Sequence, residues 1–205
     1  MNHSVHYNTG HATPVPVILY RMGRPKQFSR QEVLEKALPL FWRRGYADTS
    51  LQEIEQVTGV NKSGLYAEFD GKEDLFLQSL RYYLEEEEKR GLLTAAPFGW
   101  ANIERFLKLG PHTTDGQQGC FSVSSMRDLA ILPPKAAALV TENRADTKRL
   151  IAKNAAAEHP TMDPNAIADL VLTFFTGLSM EHHVKQSRSS VGKKIDRFMQ
   201  AVRSL

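Results

Sequence analysis

The sequence predicts an all-α fold, with a three-helix amino-terminal unit containing a helix-turn-helix pattern followed by a larger helical part. Three observations lead there. Apolar residues recur at spacings of three and four through most of the chain, and no alternating stretch is convincing as a strand. Two S-x-x-E boxes, Ser29 with Glu32 and Ser50 with Glu53, each mark a helix start. Between Thr49 and Lys72, two short helical patterns flank Thr58-Gly59-Val60, a stop followed at once by a restart.

Taken in order, residues 1–21 are polar, His-rich and unpatterned, and are expected to form a disordered leader in which His3, His6 and His11 belong to a solvated tail. Met22 directly precedes Gly23-Arg24-Pro25-Lys26 and is an alternative translation start. A first helix is expected over 29–44, with Phe28 and Val33 as a hydrophobic staple and Leu34, Leu38 and Phe41 as its core stripe. Pro39 is its misfit. A proline costs about 3 kcal/mol in a helix interior, so a kink or a shortened helix is expected.

In the second helix Ile54 and Val57 supply the buried face, and Gly59 tolerates the left-handed stop. Asn61 caps the third helix, Val60 and Leu65 staple it, and Leu65 and Phe69 face inward. Lys62, Ser63, Gly64, Tyr66 and Ala67 are left on a presented face. A fourth helix over 72–90 carries Leu75, Phe76, Leu80, Tyr83 and Leu84. Its run from Glu85 to Glu88 points all round the helix, so it reads as solvated surface rather than a convergent site.

The rest is helical by pattern. Helices are expected over 97–109, over 120–131 after a Gly-rich loop, and over 135–158, where Ala-rich composition favours helix. Asp163 caps the most apolar helix, which contains Ile167, Leu170, Val171, Phe174, Phe175, Leu178 and Val184; a last helix spans 191–203. The expected division is a leader over 1–21, a helix-turn-helix unit over 22–72 and a helical domain over 73–205.

Composition narrows the class. The net charge of +3 is small, but Arg21, Arg24, Lys26 and Arg30 fall within ten residues that contain no acid. One cysteine excludes an intramolecular disulfide and fits a reducing cytoplasm. No apolar run approaches the roughly 20 residues of a membrane span, so no membrane partner is expected. No cofactor motif stands out, and H-x3-H or C-x2-C metal spacings are absent from the sequence.

The run over 23–76 resembles the amino-terminal domain of TetR-type bacterial transcriptional regulators. The matching marks are Arg24-Pro25-Lys26, Phe41 with Gly45-Tyr46, Thr49-Ser50, Ile54, Gly59-Val60, Leu65-Tyr66, Phe69, Lys72-Glu73 and Leu75. Smaller details (Phe-Trp, Leu-Tyr-Ala-Glu-Phe and Gly-Cys-Phe) are similar to the copper-responsive ComR branch. The resemblance implies a DNA-binding regulator rather than an enzyme, in most members a repressor. It implies a homodimer on a pseudo-palindromic double-stranded operator, joined through 164–185 and 191–203, and released by a small-molecule effector held in the carboxy-terminal helices.

On that reading Arg24 and Lys26 form an arm that reaches phosphates or the minor groove. Lys62 and Ser63 meet base edges in the major groove, Tyr66 packs on a thymine methyl or bonds a phosphate, and Gly64 allows close approach. Ser50 caps its helix and touches phosphate, Gln52 lies on the outer side of the second helix, and Lys72 pairs with a phosphate. Glu68, an acid near the expected phosphate path, points away or pairs with a base such as Arg44. Candidates for the effector lining are Trp100, Phe106, Cys120, Phe121, Met126, Phe174, Phe175 and Met180. An alternative makes Cys120 a catalytic nucleophile with His182 or His183 as base, or a redox or metal sensor with His112, His159, His182 and His183 nearby.

Overall fold

The computed structural model describes residues 28–85, 88–109, 119–181 and 188–205. Among these lie ten helices and no strand: α1 (Arg30–Arg44), α2 (Leu51–Thr58), α3 (Lys62–Glu68), α4 (Gly71–Glu85), α5 (Glu88–Thr94), α6 (Trp100–Leu109), α7 (Phe121–Met126), α8 (Pro134–Ala156), α9 (Pro164–Glu181) and α10 (Arg188–Val202). The leader, Met22, Arg24, Lys26, His112, His182 and His183 fall outside the described residues.

Local sequence explains the first helices. Ser29 and Ser50 each complete a capping box, with Glu32 and Glu53 respectively, so two otherwise orphaned N–H groups are satisfied at each start. α1 continues through Pro39 to Arg44 instead of ending there. Val33, Leu34, Ala37, Leu40 and Phe41 are buried along it, and this packing offsets the backbone bond that proline removes. The buried pair of α2 is Ile54 and Thr58, not Ile54 and Val57; Val57 is 39% exposed. Positions three and four apart both lie on one face of a helix. Thr58 takes the buried place because its hydroxyl is bonded to the Ile54 carbonyl at 2.7 Å and accepts from the Val60 N–H at 3.2 Å. The single helix expected over 72–90 is described as α4 and α5, with α4 ending at Glu85. The helix expected over 120–131 is only one and a half turns long, and Cys120 is its N-cap.

Two apolar cores organise the helices. The first gathers Phe41, Ile54, Leu65, Leu75, Phe76 and Leu80 from α1 to α4, and continues into Phe121 of α7 and Ala136 and Val140 of α8. The second joins α5, α6, α8, α9 and α10 through Leu93, Ile103, Leu107, Ile151, Ile167, Val171 and Ile195. The first core holds a knot of rings, which meets the second core at Tyr83: Phe121 is 5.8 Å from Trp42, 5.7 Å from Phe76 and 5.7 Å from Tyr83. The second core also contains a polar node. Asn154 accepts from Gly99 N at 3.0 Å and Asn102 Nδ2 at 2.8 Å, and donates to the carbonyls of Leu93 and Leu150. Among the described residues no helix is long and apolar enough to cross a membrane.

Candidate nucleic-acid interface and interior cavity

The turn between α2 and α3 is fixed by backbone and caps. Gly59 adopts φ 72°, ψ 12° and its N–H donates to the Glu55 carbonyl at 2.9 Å, closing α2. Asn61 Oδ1 accepts from the Gly64 N–H at 2.8 Å, and the Glu55 carboxylate accepts from the Lys62 N–H, opening α3. Leu65 and Phe69 are buried beneath. Lys62, Ser63, Tyr66 and Ala67 are exposed, with Tyr66 at 49%, and the Lys62 ammonium lies 5.6 Å from the Tyr66 ring centre. A short, well-anchored helix thus turns a basic and aromatic face to solvent.

Three of the expected roles, those of Gly64, Arg44 and Lys72, differ in the geometry. Gly64 serves the interior: a Cβ there would come within 2.8 Å of Val60 Cγ1 and 3.2 Å of Phe28, so glycine lets α3 seat on its own domain. Arg44 pairs with Glu53, not Glu68. It is Arg30 that reaches the end of α3, donating to the Glu68 carbonyl with its guanidinium 4.3 Å over the Phe69 ring. Lys72 is already engaged, donating to the carbonyls of Tyr46 at 2.8 Å and Thr49 at 3.0 Å and lying over the Tyr46 ring. Burial pushes its ammonium down from the ordinary lysine value, with Asp48 pulling the other way. It staples α4 to the entrance of α2 and keeps at most one donor for a phosphate. Ser50 is exposed but its hydroxyl is committed to the cap, donating to Glu53 Oε2 at 2.8 Å. Bonds from Ser50, with Arg44 adding, hold the Glu53 carboxyl below its ordinary value. Gln52 is exposed on α2.

A cavity of about 40 Å³ lies in the carboxy-terminal part, lined by Leu93, Phe106, Cys120, Val123, Met126, Leu172 and Phe175, with Ser122, Asn143, Arg144 and Thr147 at one pole. Of the eight expected lining residues it brings together Phe106, Cys120, Met126 and Phe175. The other four lie elsewhere. Phe121 belongs to the ring knot, Trp100 packs against the second core, Phe174 stacks on Phe198 at 3.9 Å, and Met180 is 43% exposed. Aromatic type alone does not point to the polar pole. Its signal was present: Asn143, Arg144 and Thr147 share one face of the long α8 by spacing.

The polar groups there are sparsely paired. Arg144 makes one hydrogen bond, to Thr176 Oγ1 at 3.4 Å, and no ion pair among the described residues. Asn143 Nδ2 donates to Ser122 Oγ at 3.3 Å, while Asn143 Oδ1 is buried without a partner. The Tyr83 hydroxyl donates to Cys120 Sγ at 3.3 Å, so α4 touches the cavity wall directly. A second link leaves the far end of α7: Asp128 Oδ2 accepts from the Tyr46 N–H at 3.1 Å, and Arg127 donates to the Arg44 carbonyl at 3.4 Å. On the outer side, α9 and α10 form an open groove of about 440 Å³ lined by Phe174, Gly177, Leu178, Glu181, Lys194, Arg197 and Phe198.

Known proteins share this arrangement. A profile described as bacterial regulatory proteins, tetR family, matches residues 33–78, the segment from α1 into α4. The transcriptional repressor ComR of Escherichia coli K12 is 48% identical over 63 residues, 31% of this chain and only 30% of ComR. The transcriptional repressor BdcR of the same organism is 25% identical over 171 residues, 80% of this chain and 86% of BdcR. Among solved structures, the TetR family regulator CifR, as a cysteine mutant with 26-bp double-strand operator DNA, superposes with a TM-score of 0.75 at 26% identity. That superposition covers 87% of this chain and 99% of CifR. With the α2–α3 motif and the all-helical body in place, residues 33–78 carry the DNA-binding domain of the tetR family of bacterial regulatory proteins, and the chain around it is similar in fold to TetR family regulators.

Proposed function

We propose that the chain is a ligand-responsive transcriptional repressor that binds a pseudo-palindromic operator as a homodimer. The observation that carries this reading is the presented face of α3, held by caps at its start and by Arg30 at its end. Lys62 and Ser63 are offered to base edges and Tyr66 to a thymine methyl or a phosphate. Arg24 and Lys26, which precede α1 in the chain, are offered to the backbone or minor groove. The operator complex of CifR and the repressor activity of ComR and BdcR support DNA as partner and repression as outcome. Lys62→Ala or Tyr66→Ala is expected to weaken specific binding by about 1–3 kcal/mol with the fold intact. Fluorescence anisotropy against DNA upstream of the gene, repeated across salt concentrations, checks this. Unchanged affinity in both variants removes α3 from the interface.

One short helix gives little affinity, and a two-fold dimer places two of them about 34 Å apart or a multiple of that. The α9–α10 groove supports the assembly surface: Phe174 and Phe198 stack at its floor, and the apolar Leu170 on α9 is 43% exposed. Two copies of α9 and α10 would close it as a four-helix bundle. Phe174→Asp is expected to give folded monomers by light scattering and circular dichroism; a stable dimer would sink this interface.

The effector is read into the cavity, and its signal reaches the DNA head by two routes, Cys120 to Tyr83 on α4 and Asp128 to Tyr46 beyond α1. The thiol's role on this reading is contact, so Cys120→Ser should retain operator binding.

A further inference from the structure

The cavity has a chemical polarity that its size and lining translate into a ligand class. Resting on the reading that this cavity takes the effector, the geometry points to a small monocarboxylate with a short apolar body and a hydroxyl beside the carboxylate.

Each part of the ligand answers a part of the wall. Arg144 brings a guanidinium with five N–H donors to the lining, and one neutral hydroxyl is its sole hydrogen-bond partner among the described residues. A half-buried cation on a largely apolar wall, with no anion beside it among the described residues, can take one, and a planar carboxylate matches the fork of donors. Asn143 Oδ1 is the second incomplete group: a buried acceptor that needs a donor from whatever enters. Both residues line the same small cavity, so a ligand whose carboxylate answers Arg144 can answer Asn143 with a hydroxyl close by, which a 2-hydroxy acid supplies. Leu93, Phe106, Val123, Leu172 and Phe175 give the remainder of the ligand an apolar wall.

Size sets the other limit. About 40 Å³ holds a few water molecules, far below the roughly 300 Å³ at which drug-sized pockets begin. The body of the ligand must be small, and it enters by moving a side chain. Met126, unbranched and adaptable, is the lining residue suited to yield. An ammonium compound is excluded by Arg144, and a neutral alcohol leaves the guanidinium unanswered.

Isothermal titration of the full chain with 2-hydroxybutanoate, butanoate, butan-1-ol and butylamine tests this. The two acids are expected to bind, the hydroxylated one more tightly, with butan-1-ol at least about tenfold weaker and butylamine silent. Arg144→Gln should lose about tenfold or more for both acids and bring them level with butan-1-ol, while Arg144→Lys recovers part of the loss. Arg149→Gln, on the same helix but with its side chain 78% exposed, should change nothing. Thermal melts of each variant establish that the fold is retained. Equal binding of butan-1-ol and butanoate, or equal losses in Arg144→Gln and Arg149→Gln, overturns the carboxylate assignment and leaves the cavity as a ligand site. Binding of none of the four overturns the effector reading of the cavity together with it.

Discussion

Phe121→Ala is expected to cost about 3–5 kcal/mol of folding stability, measured by urea unfolding. The ring is 1% exposed and sits where three aromatic side chains from α1 and α4 converge on α7. Its neighbours are held by other contacts, Phe76 against Phe41 at 5.1 Å and Trp42 against Tyr83 at 5.0 Å, so they are not free to collapse into the space. A void walled by fixed rings keeps both the transfer and the cavity penalty. The aromatic geometry adds about 0.5–1.5 kcal/mol per pair. Were Phe121 instead a wall of the effector cavity, truncation would mainly enlarge that cavity and cost far less. An unfolding midpoint close to that of the unmodified protein would therefore return Phe121 to the pocket.

The second large effect is expected at a polar residue. Asn154→Ala should destabilise by about 2–4 kcal/mol, because each buried group left unsatisfied costs about 1–3 kcal/mol and the losses overlap. The side chain is fully buried and joins four partners from three parts of the chain: the Gly99 N–H, the Asn102 amide and the carbonyls of Leu93 and Leu150. Asn102 also donates to the carbonyls of Ala95 and Pro97, so the node fastens the whole connection between α5 and α6 onto α8. Amide hydrogen exchange separates this from a generic core defect. Protection should fall first at 93–102; uniform loss across the chain with 93–102 no worse than the rest would show that the node does not fasten that segment.

How much of this was legible depends on the range over which each signal acts. The caps of Ser29, Ser50 and Asn61 and the stop at Gly59 were readable because each is settled within four residues. Val57 was misplaced because spacings of three and four both satisfy helical periodicity, and only the neighbouring helices choose between Val57 and Thr58. The sequence does not state which side of α3 a missing Cβ faces, so only the packing on Val60 and Phe28 gives Gly64 its place. Aromatic type marks Phe106 and Phe175 for the cavity, but equally marks Phe121, which the first core claims, and Phe174, which stacks on Phe198. Asn143 and Arg144 stand in a helix whose polar residues mostly face water, and nothing local separates them from Asp146 or Arg149. Their meaning arises only when α7 and α9 close over them.

The clamp from Asp128 to the Tyr46 N–H sets a thermodynamic obligation on the proposed switch. α7 forms part of the cavity wall, and the turn that follows it grips the backbone between α1 and α2, so wall and recognition motif share one energy surface. Any ligand that weakens the operator complex by some factor must itself be held more weakly, by that same factor, when the operator is bound. On the proposed function, a promoter that binds the chain tightly therefore also raises the ligand concentration needed to release it. Each operator in the cell would set its own threshold, with no change to the protein.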